Sequence, residues 1–366
     1  MRIALAETLL IKIMKWDDET IIVERPFIQA MANFKYDEYQ QFSPGIRFIE
    51  SMSQWLSQFT DSERAIAYKY VKENLIFISN EQMAHLVNIC FAEKINPILL
   101  KKAAAVMDIP TYHVKSLHNS DSYKEIKRRS LFLGISDGAK IDQLRRSSGI
   151  NNEQVFSSYY IAEEKKEDML KELKDEGYEG KFNSVYLIDD FTGSGLSYAR
   201  LEDGKMTGKL IKFLKLIFNI DGAGDEKSVL SELINTQQLD FHIIFYIARE
   251  HSLNYLIEQI EKWKLENDLE FSFTVDAIQK IGDGFKDEVK SNFELLKLSK
   301  TYITEAIIDR HFKKGKHDDY YLGFDECALP LILNHNTPNN SLPLLWWYPE
   351  DEQFRGLFPR VTRHKE

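Results

Sequence analysis

The rhythm of hydrophobic and polar positions changes along the chain. Apolar residues recur with amphipathic spacing from Ala4 to Trp16, Thr20 to Val23 reads as a short strand, and a polar, aromatic-rich connection ends at Ser43, Pro44 and Gly45. From Ile46 the period is helical: Ile49, Met52, Leu56 and Phe59 fall three and four residues apart and share one face. Thr60 to Glu63 has the form of a capping box, so a second helix starts there. Helical patterns continue through Glu81 to Cys90 and Asn96 to Val106, and their apolar stripes are most simply core.

Short, solid apolar runs then take over. Ser130 to Ile135, Val155 to Ile161, Val185 to Ile188 and Phe241 to Ala248 read as strands, and Phe271 to Val275 alternates like an edge strand. Helical stretches separate them at Ile141 to Arg146, Glu163 to Glu176, Leu210 to Phe218, Val229 to Ile234 and Leu253 to Trp263, with a Gly-rich turn at Asp221 to Asp225. Strands alternating with helices predict an α/β fold with a doubly wound parallel sheet. A long helical stretch, Asp287 to His311, leads to the tail. The expected organisation is an N-terminal segment (1–45), a helical subdomain (46–125), an α/β core (126–285), and a C-terminal helix with a tail (286–366).

Composition narrows the function classes. With 366 residues, 43% hydrophobic and 12% aromatic, the chain can bury a substantial core. A formal net charge of −10 argues against a general nucleic-acid-binding surface, which needs a basic excess. Cys90 and Cys327 are far apart and lack metal-type spacing, so neither a disulfide framework nor a zinc site is expected, and a reducing cytoplasm fits best. His85, His113 and His118 have no partners at metal-ligand spacing and read as structural or surface residues. The apolar run in Met1 to Met14 is interrupted by Glu7 and Lys12 and lacks a small-residue cleavage site, and no stretch approaches the roughly 18 apolar residues of a membrane span.

The candidate chemistry lies in VYLIDDFTGSGLS, Val185 to Ser197. A buried strand ends in Asp189 and Asp190, and a turn of Thr192, Gly193, Ser194, Gly195, Leu196 and Ser197 then opens a helix. Small side chains and backbone N–H groups at a helix start suit a phosphate. Paired carboxylates suit hydroxyls or a hydrated metal, so together the motif describes a sugar phosphate. A Walker loop would need Lys where Leu196 stands, and a hydrolase elbow would need Gly where Thr192 and Leu196 flank Ser194.

The motif resembles the phosphoribosyl diphosphate (PRPP) loop of type I phosphoribosyltransferases. That resemblance implies a phosphoribosyltransferase-like fold, with Asp189 and Asp190 holding ribose hydroxyls directly or through the waters of a Mg²⁺ ion, and Thr192 to Ser197 holding the 5′-phosphate. It also implies that the upstream loop Ser136, Asp137, Gly138, Ala139 and Lys140 faces the diphosphate, and that a flap lies between the two motifs, where the charged stretch Glu163 to Glu176 reads from its residues first as a solvated helix face. Gly193 and Leu196 depart from the family pattern, which usually has Thr or Ala and a second Gly there. Purine-salvage members carry an Asp at the Gly193 position, and its absence weighs against purine salvage.

The tail Gly323 to Trp347 places His335, Asn336, Thr337, Pro338, Asn339 and Asn340 between two apolar runs. Either it is an elaborate turn held by Asn side chains, or it is a hood presenting His335, Asn336 and Asn339 to an acceptor. Arg249, on the rim after Phe241 to Ala248, is a further acceptor candidate. The tail, the helical N-terminal region and the TGSG loop also resemble phosphoribosyltransferase-like proteins of bacterial conflict and antiviral-defence loci, including retron-linked effectors. That resemblance implies a defence role and a protein partner from the locus; a homo-oligomer is also compatible. Two functional expectations follow: an enzyme acting at the anomeric carbon by transfer or hydrolysis, or a non-catalytic sensor of PRPP or a nucleotide that binds a regulatory partner.

Overall fold

A computed structural model describes residues 3–178, 180–220, 228–348 and 354–360. The chain divides into two compact units, Met1–Met83 with Asp283–Glu366, and Ala84–Gly282. The first unit opens with helices α1 (Ile3–Met14), α2 (Asp18–Phe34), α3 (Phe48–Ser57) and α4 (Asp61–Asn74), followed by strand β1 (Ile76–Ile78). α2 replaces the strand expected at Thr20 to Val23. The β-branched run there favours a strand, but the Asp17 side chain caps the helix by accepting from the Thr20 N–H at 2.9 Å, and Ile28 and Ala32 pack inward. The capping box at Thr60 and Glu63 is present and starts α4.

Helix α5 (Asn80–Cys90) leads into the second unit, where α6 (Asn96–Met107), α7 (Val114–Asn119) and α8 (Asp121–Arg128) precede the sheet. In chain order the sheet region contains β2 (Ser130–Gly134), α9 (Ile141–Ser148), β3 (Val155–Phe156), α10 (Glu163–Asp175), β4 (Ser184–Thr192), β5 (Arg200–Glu202), β6 (Lys205–Thr207), α11 (Lys209–Phe218), α12 (Val229–Leu233), β7 (Asp240–Arg249), α13 (Glu250–Glu266) and β8 (Ser272–Ile281). Five of these strands form an all-parallel sheet in the order β3-β2-β4-β7-β8, so the expected mixed α/β fold with helices against a parallel sheet is the fold observed. β2 is buried throughout and β7 nearly so, as strands covered on both faces must be. β8 alternates between buried and open positions because it lies at the edge.

Val155 to Ile161 yields only a two-residue strand, since pairing stops at Leu133↔Phe156. The Gly-rich turn expected at Asp221 to Asp225 lies outside the described residues. At the amino end of the sheet, Lys102 of α6 pairs with Asp240 and donates to the Ser184 hydroxyl at 2.7 Å, which ties that helix to β4 and β7.

The chain then returns to the first unit with α14 (Phe285–Ser291), α15 (Phe293–Tyr302), β9 (Leu331–Leu333) and α16 (Pro343–Trp346). The long helix expected from Asp287 is broken at Asn292, whose side chain accepts from the Leu295 N–H at 3.1 Å and caps a new helix instead of continuing the old one. β9 pairs in parallel with β1. No helix among the described residues is long and apolar enough to cross a membrane.

Candidate functional site

β4 does not end before its acid pair. It runs on to Thr192, and its two flanks stop at different places. Pairing with β2 ends at Gly134↔Ile188, whereas pairing with β7 continues to Thr192↔Ala248. Asp189 to Thr192 therefore have a strand on one side and the loop after β2 on the other. This is also where the strand order reverses: β3 lies outside β2, while β4, β7 and β8 lie on its other side. Ligands of open α/β sheets bind beyond the strand ends at such a switch point.

Asp189 is only 1% exposed. One carboxylate oxygen accepts from the Ser136 hydroxyl and, at 3.1 Å, from the Asp190 N–H. The other accepts from the Tyr198 hydroxyl at 2.7 Å, with the Lys209 ammonium 3.7 Å away. Burial pushes its pKa up and the Asp190 charge adds to that, while Lys209 and the two hydroxyls pull it down; the result is about 6. One carboxylate thus joins the loop after β2, the turn after β4 and the first residue of α11.

Asp190 is the half-exposed member of the pair, with Oδ1 accepting from the Phe191 N–H at 2.8 Å. Gly138 packs so closely against its carboxylate that a Cβ at this position would overlap it. Asp137 is exposed and the Ala139 carbonyl accepts from the Tyr246 hydroxyl at 2.6 Å, which fixes the loop to β7. Lys140 ends the loop at φ 43°, left-handed and uncommon for a residue with a side chain. Burial lowers its pKa, against the opposing pull of the Asp190 charge.

The turn after β4 differs from expectation. Thr192 to Gly195 are buried, Leu196 and Ser197 are half-buried, and the chain makes one helical turn in which the Tyr198 and Ala199 N–H groups donate to the Gly195 carbonyl. The β5–β6 hairpin then interrupts, so α11 opens at Lys209 and not directly after the turn. The Lys209 and Leu210 N–H groups donate to the Ser197 and Tyr198 carbonyls, each at 3.0 Å, which rejoins the helix to its first turn. Gly208 makes the junction possible: at φ 121° it lies against the Tyr198 carbonyl, where a side chain would collide. The Thr192 hydroxyl is buried without a hydrogen-bond partner among the described residues.

The structure therefore brings together Ser136, Asp137, Gly138, Lys140, Asp189, Asp190 and the turn Thr192 to Ser197. Arg249 lies in the same unit at the carboxyl end of β7. His335, Asn336 and Asn339 belong to the other unit, in a turn held by its own backbone and amides. There the Asn336 side chain accepts from the Thr337 N–H at 3.0 Å, the Asn339 carbonyl accepts from the Phe324 N–H at 2.8 Å, and the Asn340 amide donates to the Phe324 carbonyl at 3.1 Å. Sequence reasoning missed Tyr198, Lys209 and Tyr246. Tyr198 directly follows the motif and could have been included; Lys209 is separated by the hairpin, and Tyr246 sits inside an apolar strand.

The half-exposed Asp190 carboxylate, with the enclosed Asp189 behind it, fits a Mg²⁺ ion held mainly by substrate oxygens and water, the usual habit of this cation. No cluster of three or more acidic, His or Cys side chains among the described residues offers a cage made by protein alone. No curated protein and no solved structure matched the chain. The family model described as PRTase-CE matches residues 52–360, most of the chain and both loops of the site. With that match and a parallel sheet carrying both loops at its switch point, the chain belongs to the PRTase-CE family, a phosphoribosyltransferase-like family.

Proposed function

We propose that this protein binds PRPP or a related ribose phosphate together with Mg²⁺, and acts at the anomeric carbon by transfer or hydrolysis. The observation carrying this reading is the meeting of the acid pair, the Ser136–Lys140 loop and the Thr192–Ser197 turn at the β2/β4 switch point. Asp190, the more open carboxylate, takes the ribose hydroxyls; Asp189 holds the surrounding segments in register. The turn takes the 5′-phosphate, and a shift of its backbone on binding would give the Thr192 hydroxyl the partner it lacks. Gly138 and the Lys140 ammonium take the diphosphate side, and Lys209 adds positive charge beside the acid pair.

Asp190, with Asp189 behind it, would hold the Mg²⁺, which when bound neutralises charge on the leaving diphosphate. The chain's own residues orient the ribose and stabilise developing charge, as preorganised sites do. Gly193 supplies no general base, so an acceptor that is already nucleophilic, or water, fits better than a purine base. The resemblance to defence-locus proteins supports a cytoplasmic effector of bacterial antiviral defence, with a partner protein from the same locus.

A sensor is the second reading, favoured by one observation: the Asp189 carboxylate is occupied by Ser136, Tyr198 and the Asp190 N–H and is nearly inaccessible. Pyrophosphate release from PRPP and Mg²⁺ separates the two. Release by the wild type that falls at least about 100-fold in Asp190→Asn, the scale of losing a charge contact to the reacting sugar, supports the enzyme. Binding without release across a panel of amine, hydroxyl and nucleobase acceptors would favour the sensor.

A further inference from the structure

Tyr198 is the residue on which the turn after β4 closes. Its backbone N–H donates to the Gly195 carbonyl at 2.9 Å, and its carbonyl accepts from the Leu210 N–H at 3.0 Å. Its hydroxyl reaches back to the strand, where Asp189 Oδ2 at 2.7 Å and the Phe191 carbonyl at 3.0 Å share its one proton. The ring is buried, with the Phe245 ring edge-on at 5.0 Å and the Lys209 ammonium 5.4 Å from its centroid. Asp189 to Tyr198 is thus a loop tied at both ends, with Thr192 to Ser197 between the ties. Asp189 divides its oxygens: Oδ1 accepts from Ser136 in the loop after β2, and Oδ2 accepts from Tyr198. Separate atoms of one carboxylate therefore hold the two loops, and either tie can be cut without the other.

We propose that Tyr198 is a positioning residue: it fixes the distance between the acid pair and the turn, and so selects sugar phosphates by their reach from ring hydroxyls to terminal phosphate. This inference rests on the reading of the turn as the 5′-phosphate site and of Asp190 as the ribose site. A fixed distance favours one sugar length, a pentose 5-phosphate over a hexose 6-phosphate that is one carbon longer. The Tyr198 hydroxyl is engaged by Asp189 and Phe191, so it acts through the turn and not on the ligand. The diphosphate side is independent of it, because Ser136 is held through the other oxygen of Asp189 and Gly138 packs against Asp190.

Calorimetric titration of the full chain with Mg²⁺ and ribose 5-phosphate, glucose 6-phosphate or pyrophosphate tests it, in the wild type, Tyr198→Phe and Ser136→Ala. Phe keeps the ring contacts, so the first variant removes the hydroxyl alone. Tyr198→Phe is expected to weaken ribose 5-phosphate about tenfold, the scale of one hydrogen bond to a charged group, and to leave the other two ligands within about twofold. Ser136→Ala is expected to weaken pyrophosphate alone. Equal weakening of all three ligands by Tyr198→Phe, or of none, overturns the proposal, as does a wild type that binds both sugars alike. Loss of ribose 5-phosphate binding in Ser136→Ala overturns the independence of the two ties. A wild type that binds none of the ligands contradicts the ribose-phosphate reading, and amide hydrogen exchange of the ligand-free chain then decides the role of Tyr198. The tie predicts exchange about tenfold faster at Gly193 to Ser197 in Tyr198→Phe, with Ser136 to Lys140 unchanged. Unchanged exchange in the turn overturns it.

Discussion

Asp189 and Asp190 are neighbours with the same side chain, yet the fold gives them different work. Asp189 is enclosed and spends its oxygens on Ser136, Tyr198 and a backbone N–H, whereas Asp190 remains half-open beside Gly138. The folded-state pKa of Asp189, about 6, lies above the ordinary 3.8, so the folded protein holds this proton more tightly than the unfolded chain does. The resulting stability is complete below about pH 4 and is lost as pH rises through about 6. Asn in its place carries no charge, and the two hydroxyls can reorient to meet its amide. The stability advantage of Asp189→Asn over wild type, measured by thermal melts, therefore grows across pH 4 to 6 and levels off above, reaching on the order of a few kcal/mol. An advantage that stays flat through that window would mean that Asp189 ionises like an open carboxylate.

The acid pair and the glycine-rich turn were legible as residues because their chemistry is local. Asymmetry within the pair was not: it depends on Tyr198, Lys209 and the loop after β2, which only the folded chain brings together.

At the scale of elements, the alternation of solid apolar runs with helical periods was enough to find the central strands. It failed where local preference and packing disagree. Thr20 to Val23 has strand-forming residues, but a capped helix buries Ile28 and Ala32 there. The strand reading of Val185 to Ile188 stopped at the first charged residue, although β7 continues to pair with β4 for four residues more. The β5–β6 hairpin was invisible as an insertion because Gly204 and Gly208 look like ordinary turn residues in a row of letters.

That hairpin makes a prediction. Gly208→Val places a branched side chain against the Tyr198 carbonyl at a left-handed backbone position, which separates α11 from its first turn. The expected cost is about 2 kcal/mol or more in urea unfolding, with loss of ligand binding at the turn. Gly204→Ala, with open space around its Cβ, serves as the comparison and costs about 1 kcal/mol from its backbone conformation alone. Equal, small effects of both would mean that the hairpin junction does not hold the turn.

At the scale of the whole molecule, the chain forms two units, and the family match from residue 52 to 360 covers parts of both. The first unit is assembled from the two ends of the chain: β1 near residue 76 pairs with β9 near residue 331. A reading that proceeds along the sequence has no signal for such a closure, because the two partner strands are three residues each and separated by the entire second unit. The site, in contrast, is built within the second unit, from the segments that follow two neighbouring strands, β2 and β4, of one sheet.

The proposed binding of a ribose phosphate at the β2/β4 switch point depends on Asp190. Thermal unfolding with PRPP and Mg²⁺, in the wild type and in Asp190→Asn, tests it most directly. At a roughly 100-fold excess over the dissociation constant the wild type should gain about 2.7 kcal/mol, read as a clear rise in melting temperature, and Asp190→Asn should gain almost none. An unchanged wild type, or a variant stabilised as much as the wild type, would mean that Asp190 holds no ribose phosphate there.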